Sequence, residues 1–236
     1  MHYVVTGAAS GIGAAVLRRL TDNGDAVTPW DLQSVSDVRP VDVTSSASIA
    51  AAIDGLPPEI DGAVLAAGVS RMSRLEDTSD DDWNFQMNVN AFGVFACLRA
   101  LIPRVRPGGA FVVVDSVGGL SGAPFLSAYC ASKFAVTGLI ESVTPELAQR
   151  GIRINAVCPM YVRTPMESRE LEWEAALTGQ SPEDVFAGYV RGTPLGRVAE
   201  PEEIAASVWH LLSDESRYTT GSMLVVSGGA HLGPAL

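Results

Sequence analysis

The sequence predicts an α/β fold, a single doubly wound parallel sheet of seven strands flanked by helices. Strand-like apolar runs alternate with helical segments along the 236 residues, and this alternation is typical of right-handed βαβ crossovers. Runs such as 110–114 are continuously apolar, as expected for strands that are covered on both faces. No linker, internal repeat or low-complexity tract divides the chain. We therefore expect one domain over residues 1–236.

The predicted elements follow one another at regular spacing. Each strand candidate is a short, mostly apolar run between turn residues, and these runs are 2–6, 26–30, 38–42, 61–66, 109–115, 152–158 and 222–227. Each helical candidate repeats its apolar residues at helical spacing, and these are 11–23, 45–54, 79–104, 127–150 and 201–213. A further helical region at about 165–191 is rich in glutamate.

Composition excludes several classes of function. The net charge of −11 argues against nucleic acid and anionic membrane surfaces as partners. No run of about 18 uninterrupted apolar residues occurs, so we expect no transmembrane helix. The chain starts directly in a strand-like run, which indicates no signal peptide. The three cysteines and three histidines lack metal-ligand spacing, so we expect no metal site and reduced thiols in the cytoplasm.

A glycine-rich loop lies between the first predicted strand and the first predicted helix. Residues 6–13 read T-G-x-x-x-G-x-G, a pattern that permits a tight turn and lets backbone N–H groups approach a pyrophosphate at a helix N-terminus. The strand–loop–helix context is that of a Rossmann-type dinucleotide site. The loop residues expected to contact the dinucleotide are Gly7, Ser10, Gly11, Ile12 and Gly13.

Asp31 ends the second predicted strand, about 20 residues beyond the loop, where a ribose-binding acid is expected. A carboxylate at this place accepts hydrogen bonds from the ribose hydroxyls and repels a 2′-phosphate. Neither the loop nor the segment 32–34, which begins with Leu32, contains a cation that would bind that phosphate. The sequence therefore favours NAD over NADP, with Asp31 and Leu32 at the adenosine ribose.

Tyr129 and Lys133 are four residues apart in a predicted helix, so their side chains share one face. Free tyrosine has a pKa near 10, and a nearby ammonium together with the positive nicotinamide of NAD⁺ would lower the pKa of this phenol. Lys133 is the single lysine among 16 basic residues. We expect this pair to move the proton in an alcohol–ketone interconversion.

With these motifs, the sequence resembles the short-chain dehydrogenase/reductase family over essentially its whole length. The segments that carry the resemblance are Thr6-Gly7, Gly11-Ile12-Gly13, Asp42-Val43, Ala66-Ala67-Gly68, Asn90-Ala-Phe-Gly93, Ser116, Tyr129 with Lys133, Asn155-Ala-Val-Cys-Pro159 and Thr164. The resemblance implies an NAD-dependent oxidoreductase acting on CH–OH groups. It also implies a homo-oligomer, a tetramer or a dimer, assembled through the helices near 79–104 and 127–150.

The resemblance also implies a role for each matching residue. Ser116 would hydrogen-bond the substrate oxygen, and Asn90 would sit at a helix kink where its backbone holds a water that connects Lys133 to solvent. The other implied cofactor contacts are Asp42 and Val43 at the adenine, Ala67 and Gly68 along the dinucleotide, and Pro159, Val162 and Thr164 at the nicotinamide carboxamide.

The sequence departs from the family pattern at several places. Leu65-Ala66-Ala67 replaces Asn-Asn-Ala and loses a side-chain amide that steadies the central sheet. Met160 replaces a glycine and is expected to alter substrate choice. Pro145 falls inside the active-site helix, where it should remove the hydrogen bond to the Glu141 carbonyl and cause a kink.

The substrate is the least determined part of the prediction. Residues 165–195 correspond to a mobile lid over the site, and its glutamate run is expected to be a solvated face; facing the site, it would suit neutral hydroxylated substrates. The segments 68–72 and 193–197 resemble members acting on small polyols, diketones, cyclic alcohols and dihydrodiols. The alternatives are a 3-ketoacyl-carrier-protein-type reductase, an epimerase or dehydratase on the same scaffold, and a non-catalytic NAD-sensing protein.

Overall fold

The structure is a computed structural model that describes residues 1–35 and 37–233. The predicted domain extends over residues 1–236, of which Ser36 and 234–236 lie outside the described residues. The described part forms one parallel sheet in the order β3-β2-β1-β4-β5-β6-β7. Its strands are β1 His2–Thr6, β2 Ala26–Asp31, β3 Arg39–Pro40, β4 Ile60–Leu65, β5 Val105–Val114, β6 Arg153–Pro159 and β7 Met223–Val226.

Helices cover the sheet on both faces, which confirms the doubly wound fold. They are α1 Gly11–Asp22, α2 Ser46–Ile53, α3 Asp80–Gln86, α4 Gly93–Leu101, α5 Ser127–Ala148, α6 Pro165–Thr178, α7 Pro182–Gly192 and α8 Pro201–Leu212. One core layer packs α2, α4 and α5 against the sheet, and the other packs α1 and α8 against the opposite face. Neighbouring residues of β5 divide between the layers: Phe111 belongs to the first and Val112 to the second. Burial on both faces explains the continuously apolar strands.

The third strand and the last predicted helical region differ from the structure. The third strand, expected at 38–42, is only the two residues Arg39–Pro40, because Pro40 has no N–H to donate and the strand lies at the sheet edge. The single helical region expected at 165–191 is two helices. Gly179, at φ 74, ends α6 in the left-handed conformation, and Ser181 caps the start of α7, where Pro182 takes the first helical position.

The helix expected at 79–104 is interrupted in its middle. Residues Met87–Phe92 form a π-helical segment between α3 and α4. The run Asp80–Arg104 is long and apolar enough to cross a membrane by length and composition alone, with 44% of its most apolar window buried inside the protein. Since Leu98 and Leu101 of α4 belong to the core beneath the sheet, burial in that core accounts for the apolar character.

Pro145 lies inside α5, and the helix continues through it to Ala148. The proline has no N–H, so it cannot donate the usual helical hydrogen bond to the Glu141 carbonyl, as expected from the sequence. Thr144, the preceding residue, donates its hydroxyl to the Ile140 carbonyl at 2.7 Å. The helix therefore tolerates the proline three turns beyond Lys133.

Thr6 ties the loop after β4 to the central sheet, where the sequence lacks the family's side-chain amides. Its Oγ1 accepts hydrogen bonds from the backbone N–H groups of Ala66 and Ala67, each at 3.1 Å. Thr6 is buried, with 2% of its surface exposed. A single hydroxyl thus joins the end of β1 to the loop after β4.

We expect Thr6→Val to destabilise the protein by about 1–3 kcal/mol, because it leaves two partly buried N–H groups without their acceptor while preserving side-chain shape. Urea unfolding followed by circular dichroism measures this change. The matched control is Thr21→Val, since Thr21 is exposed and its hydroxyl donates only to the Leu17 carbonyl. Equal effects of the two substitutions would contradict the role given to Thr6.

Candidate active site

A cavity of about 880 Å³ opens at the carboxyl ends of the strands. It lies where the strand order reverses on either side of β1, the place at which open α/β sheets bind ligands. Every residue predicted to contact the cofactor lines it: Gly7, Ser10, Gly11, Ile12, Gly13, Asp31, Leu32, Asp42, Val43, Ala67, Gly68, Tyr129, Lys133, Pro159, Val162 and Thr164. Ser116 and Met160 also line the cavity, whereas Asn90 is not among its lining residues.

The glycine loop leaves no room for a side chain at Gly7 or Gly13. Gly7 has φ 69, and a Cβ built on it would lie 2.7 Å from the Ala67 backbone nitrogen. A Cβ on Gly13 would overlap the Gly7 carbonyl. Ser10 precedes α1 and makes no side-chain capping hydrogen bond. The first turn of α1 therefore presents its backbone N–H groups at the cavity, where an anionic group can accept them.

Asp31 is held rigidly at the end of β2. Its Oδ2 accepts a hydrogen bond from the Ala9 backbone N–H at 3.0 Å, and its Oδ1 accepts one from the Gln33 N–H at 2.9 Å. The only cations among the described residues that line the cavity are Lys133 and Arg169, which belong to α5 and α6. The β2 end of the cavity thus carries a fixed negative group.

Ser116, Tyr129 and Lys133 meet at the other end of the cavity. Ser116 directly follows β5, and its Oγ accepts the Gly118 N–H at 3.0 Å. Lys133 is buried, and its Nζ lies 5.7 Å from the centre of the Tyr129 ring. The ammonium donates to the Val114 carbonyl at 3.0 Å and lies 3.8 Å from Asp115 Oδ1.

The pKa of Tyr129 departs from the expectation that Lys133 lowers it. Burial raises the pKa of this phenol, the Glu170 carboxylate raises it further, and a hydrogen bond with Ser116 opposes the increase. Lys133, whose ammonium donates to the Val114 carbonyl, is not among the groups that offset this increase. The lowering expected from Lys133 and the nicotinamide of NAD⁺ together stays a prediction.

Asn90 joins the segments around this centre. It lies in the π-helical segment and is buried. Its Oδ1 accepts the Val69 N–H at 2.8 Å, while its Nδ2 donates to the Val69 carbonyl and to Ser132 Oγ, both at 2.9 Å. Ser132 in turn donates to the Tyr129 carbonyl at 2.7 Å. The Asn90 side chain therefore fixes the loop after β4 to the first turns of α5.

The glutamates of α6 were expected to form a solvated face, and this is wrong for three of the four, since only Glu172 is exposed. Glu167, Glu170 and Glu174 line the cavity, because their spacing of three and four residues places them on one side of the helix. Glu174 accepts a hydrogen bond from the Tyr189 hydroxyl at 2.6 Å, and the Tyr189 ring stacks on Tyr161 with centroids 4.0 Å apart. The periodicity of the glutamates is the signal that could have identified this face.

Comparisons with known proteins agree with this architecture. A family model described as "Enoyl-(Acyl carrier protein) reductase" matches residues 7–231. "Oxidoreductase UcpA" of Escherichia coli (strain K12) is 34% identical over 97% of this chain and 94% of its own length. "3-alpha-(or 20-beta)-hydroxysteroid dehydrogenase" of Mycobacterium tuberculosis (strain H37Rv) is 34% identical over 98% of this chain and 90% of its own.

Solved structures show the same fold. A short chain dehydrogenase family protein from Francisella tularensis superposes with a TM-score of 0.91 at 28% identity, covering 98% of both chains. The aldohexose dehydrogenase of Thermoplasma acidophilum has a TM-score of 0.89 at 30% identity, covering 98% of this chain and 94% of its own.

Proposed function

Because the chain belongs to the short-chain dehydrogenase/reductase family of oxidoreductases, we propose that it transfers a hydride between NAD(H) and a secondary alcohol or ketone. The observation that carries this proposal is the convergence of Ser116, Tyr129 and Lys133 at one end of the cavity. The residues at the other end fit a dinucleotide, since Gly7 and Gly13 allow the loop to turn tightly and α1 directs N–H groups at a phosphate position. The proposed cofactor contacts are those predicted from the sequence.

The protein residues supply the proton transfer. Ser116 Oγ binds the substrate oxygen and orients it towards Tyr129. In oxidation the Tyr129 phenolate accepts the hydroxyl proton, and in reduction the phenol returns a proton to the carbonyl oxygen. The Lys133 ammonium favours the phenolate electrostatically. Bound NAD(H) supplies the hydride acceptor or donor at its nicotinamide ring. The Asn90 side chain holds the loop after β4 against α5. For its backbone we propose the role that the family implies, binding a water that connects Lys133 to solvent.

Asp31 is the basis for proposing NAD instead of NADP. Both of its oxygens are oriented by backbone N–H groups, and each retains lone-pair capacity for a ribose hydroxyl. A 2′-phosphate at the same place would meet a fixed carboxylate and no cation among the described residues of that end of the cavity. Charge repulsion there supports selection of the unphosphorylated ribose.

The substrate side supports a neutral, hydroxylated alcohol such as a polyol or cyclic diol. The lid comprises α6 and α7, and Glu170 and Glu174 present carboxylates to the cavity. Carboxylates accept hydrogen bonds from substrate hydroxyls and repel anionic substrates. The stacked rings of Tyr161 and Tyr189 add an apolar surface. Similar proteins named as acting on hydroxysteroids and aldohexoses fit this class.

A reductase of acyl-carrier-protein thioesters is the second candidate, because the description of the matching family model favours it. The acidic face of α6 opposes it: an acyl carrier protein and its phosphopantetheine arm are anionic, and the chain itself has a net charge of −11. We therefore rank it below the neutral alcohol.

A homo-oligomer, dimer or tetramer, is proposed from surface composition. Phe85 of α3, Phe95 of α4 and Phe134 of α5 are large apolar residues exposed on the helices that the family uses for assembly. Phe85 also lines the cavity, so Phe95 and Phe134 are the exposed apolar residues that support association with a second copy. The three buried, unpaired cysteines support a reducing, cytoplasmic location.

Tyr129→Phe tests the proposed chemistry. We expect it to bind NADH with nearly unchanged affinity and to lower turnover by about 10²–10⁴-fold, because only the transferred proton is lost. The substrate comes from a screen of NAD⁺ reduction across polyols, cyclic alcohols, dihydrodiols and hydroxysteroids. Tyr218→Phe, at a fully exposed tyrosine, is the control. Undiminished turnover in Tyr129→Phe would refute the mechanism, and absent turnover throughout the screen would favour an NAD-sensing protein.

Asp31→Ala is expected to weaken NAD binding by roughly tenfold or more, since charge-assisted hydrogen bonds contribute about 1.5–3 kcal/mol each. It should also raise the use of NADP, because the repulsive carboxylate is gone. Steady-state kinetics with both cofactors measure the ratio of kcat/KM values. Asp54→Ala, at the exposed end of α2, serves as control. Preference of the unmodified enzyme for NADPH would refute the assignment of NAD.

Glu170→Gln tests the acidic face of the cavity. We expect KM for a polyhydroxylated substrate to rise several-fold, and anionic alcohols to improve as substrates. The Glu170 carboxylate raises the pKa of Tyr129, so its neutralisation lowers that pKa and shifts the acid limb of kcat for oxidation to lower pH. Glu172→Gln changes an exposed residue of the same helix and should alter none of these quantities. Identical behaviour of the two variants would exclude Glu170 from substrate selection.

A further inference from the structure

Asp115 is a buried carboxylate that the proposed mechanism does not use. It lies between the last residue of β5 and Ser116, with 3% of its surface exposed. Its backbone N–H donates to the Val157 carbonyl at 2.9 Å, which extends the pairing of β5 with β6. Its Oδ1 is buried without a hydrogen-bond partner among the described residues. Such a group is costly to retain in a protein interior.

The carboxylate lies beneath the catalytic helix. Its Oδ2 accepts a hydrogen bond from Thr137 Oγ1 at 3.0 Å, and its Oδ1 lies 3.8 Å from Lys133 Nζ. Lys133 and Thr137 are one turn apart on α5 and therefore reach the same group. On the remaining side, a Cβ on Gly119 would lie 2.6 Å from Asp115 Oδ2. The carboxylate is thus fully enclosed, with the ammonium as its counter-ion.

Each charge of this pair compensates the burial of the other. Burial raises the pKa of Asp115, and Lys133 opposes the increase. Burial lowers the pKa of Lys133, and Asp115, followed by Cys158 of β6, opposes the decrease. Asp115 also raises the pKa of Tyr129, to a smaller extent than burial and Glu170 do. Without the carboxylate, Lys133 would be a buried ammonium whose neutral form is favoured.

We propose that Asp115 is a positioning residue, the counter-ion that keeps Lys133 charged and holds it beneath Tyr129. It acts through Lys133 and does not touch the substrate. The Val114 carbonyl and Asp115 together fix the ammonium at the end of β5, 5.7 Å from the centre of the Tyr129 ring. The catalytic part of this proposal rests on the proposed function, whereas the pairing of the two charges does not.

Asp115→Asn tests the catalytic part, because the amide preserves the size of the side chain and removes its charge. In alcohol oxidation, the alkaline limb of kcat reports loss of the Lys133 proton. We expect this limb to move to lower pH by at least about one unit, which is a tenfold change in the proton equilibrium. Thr137→Val removes the hydrogen bond to Asp115 without changing charge and should leave the limb in place. An unmoved limb in Asp115→Asn, or an equal shift in both variants, would overturn the proposal.

A stability cycle tests the pairing independently of activity. The urea midpoints of the unmodified protein, D115N, K133M and D115N/K133M are compared. We expect D115N to lower the midpoint when Lys133 is present and to raise it in K133M, where the carboxylate lacks a counter-ion. Additive shifts would overturn the pairing. If D115N alone does not fold, restored folding in the double variant supports the pairing, and failure of that rescue contradicts it. An inactive enzyme that shows the coupling would refute the proposed function alone.

Discussion

β1 pairs in parallel with β2 on one side and with β4 on the other, so the order of the strands reverses beside it. This reversal determines where the molecule can bind a ligand. The connection after β1 runs to β2 on one side of it, and the connection after β4 runs to β5 on the other side. The loops after β1 and β4 therefore separate and leave a crevice between them. Thr6 holds the walls of that crevice together through its hydroxyl. The glycine loop, Asp31 and the end of β5 all open into it because parallel strands end at one edge.

The end of the crevice at Ser116, Tyr129 and Lys133 is made of buried polar groups that restrain one another. Asn90 anchors the loop after β4 to α5, and Asp115 anchors Lys133 to the end of β5. A buried ion pair is weak evidence for stability, because apolar residues of similar volume can replace it at little cost. The presence of Asp115 next to the only lysine of the chain is explained if the site requires a charged ammonium. A lysine at the surface would be kept charged by water and would not need such a partner.

The sequence was sufficient to predict the fold and to select residues that lie together around the cavity, because those features depend on local patterns. Continuous apolar strands, the glycine loop and the Tyr129–Lys133 spacing each follow from short-range geometry, and the residues predicted at the cofactor do line the cavity. The direction of the Lys133 side chain was not predictable, since it depends on Asp115, which is distant in sequence and carries no motif. Similarly, the placement of Glu167 and Glu170 at the cavity depends on how α6 packs over it, and the composition of that helix alone suggested exposure. Gly179 and Pro182 mark the break between α6 and α7 in the sequence. The prediction of one helical region missed this break because it followed the glutamate-rich composition of the segment.

The burial of Lys133 has a consequence for how this protein can be chemically marked. Every other basic side chain among its 16 is an arginine, so the surface carries positive charge without a single ε-amino group. Acylating reagents and enzymes that attach acetyl groups or ubiquitin to lysine have only one side chain to modify, and it lies 6% exposed at the base of the cavity. Any modification of lysine in this chain would therefore alter the active site itself, and the cofactor would shield that position from it.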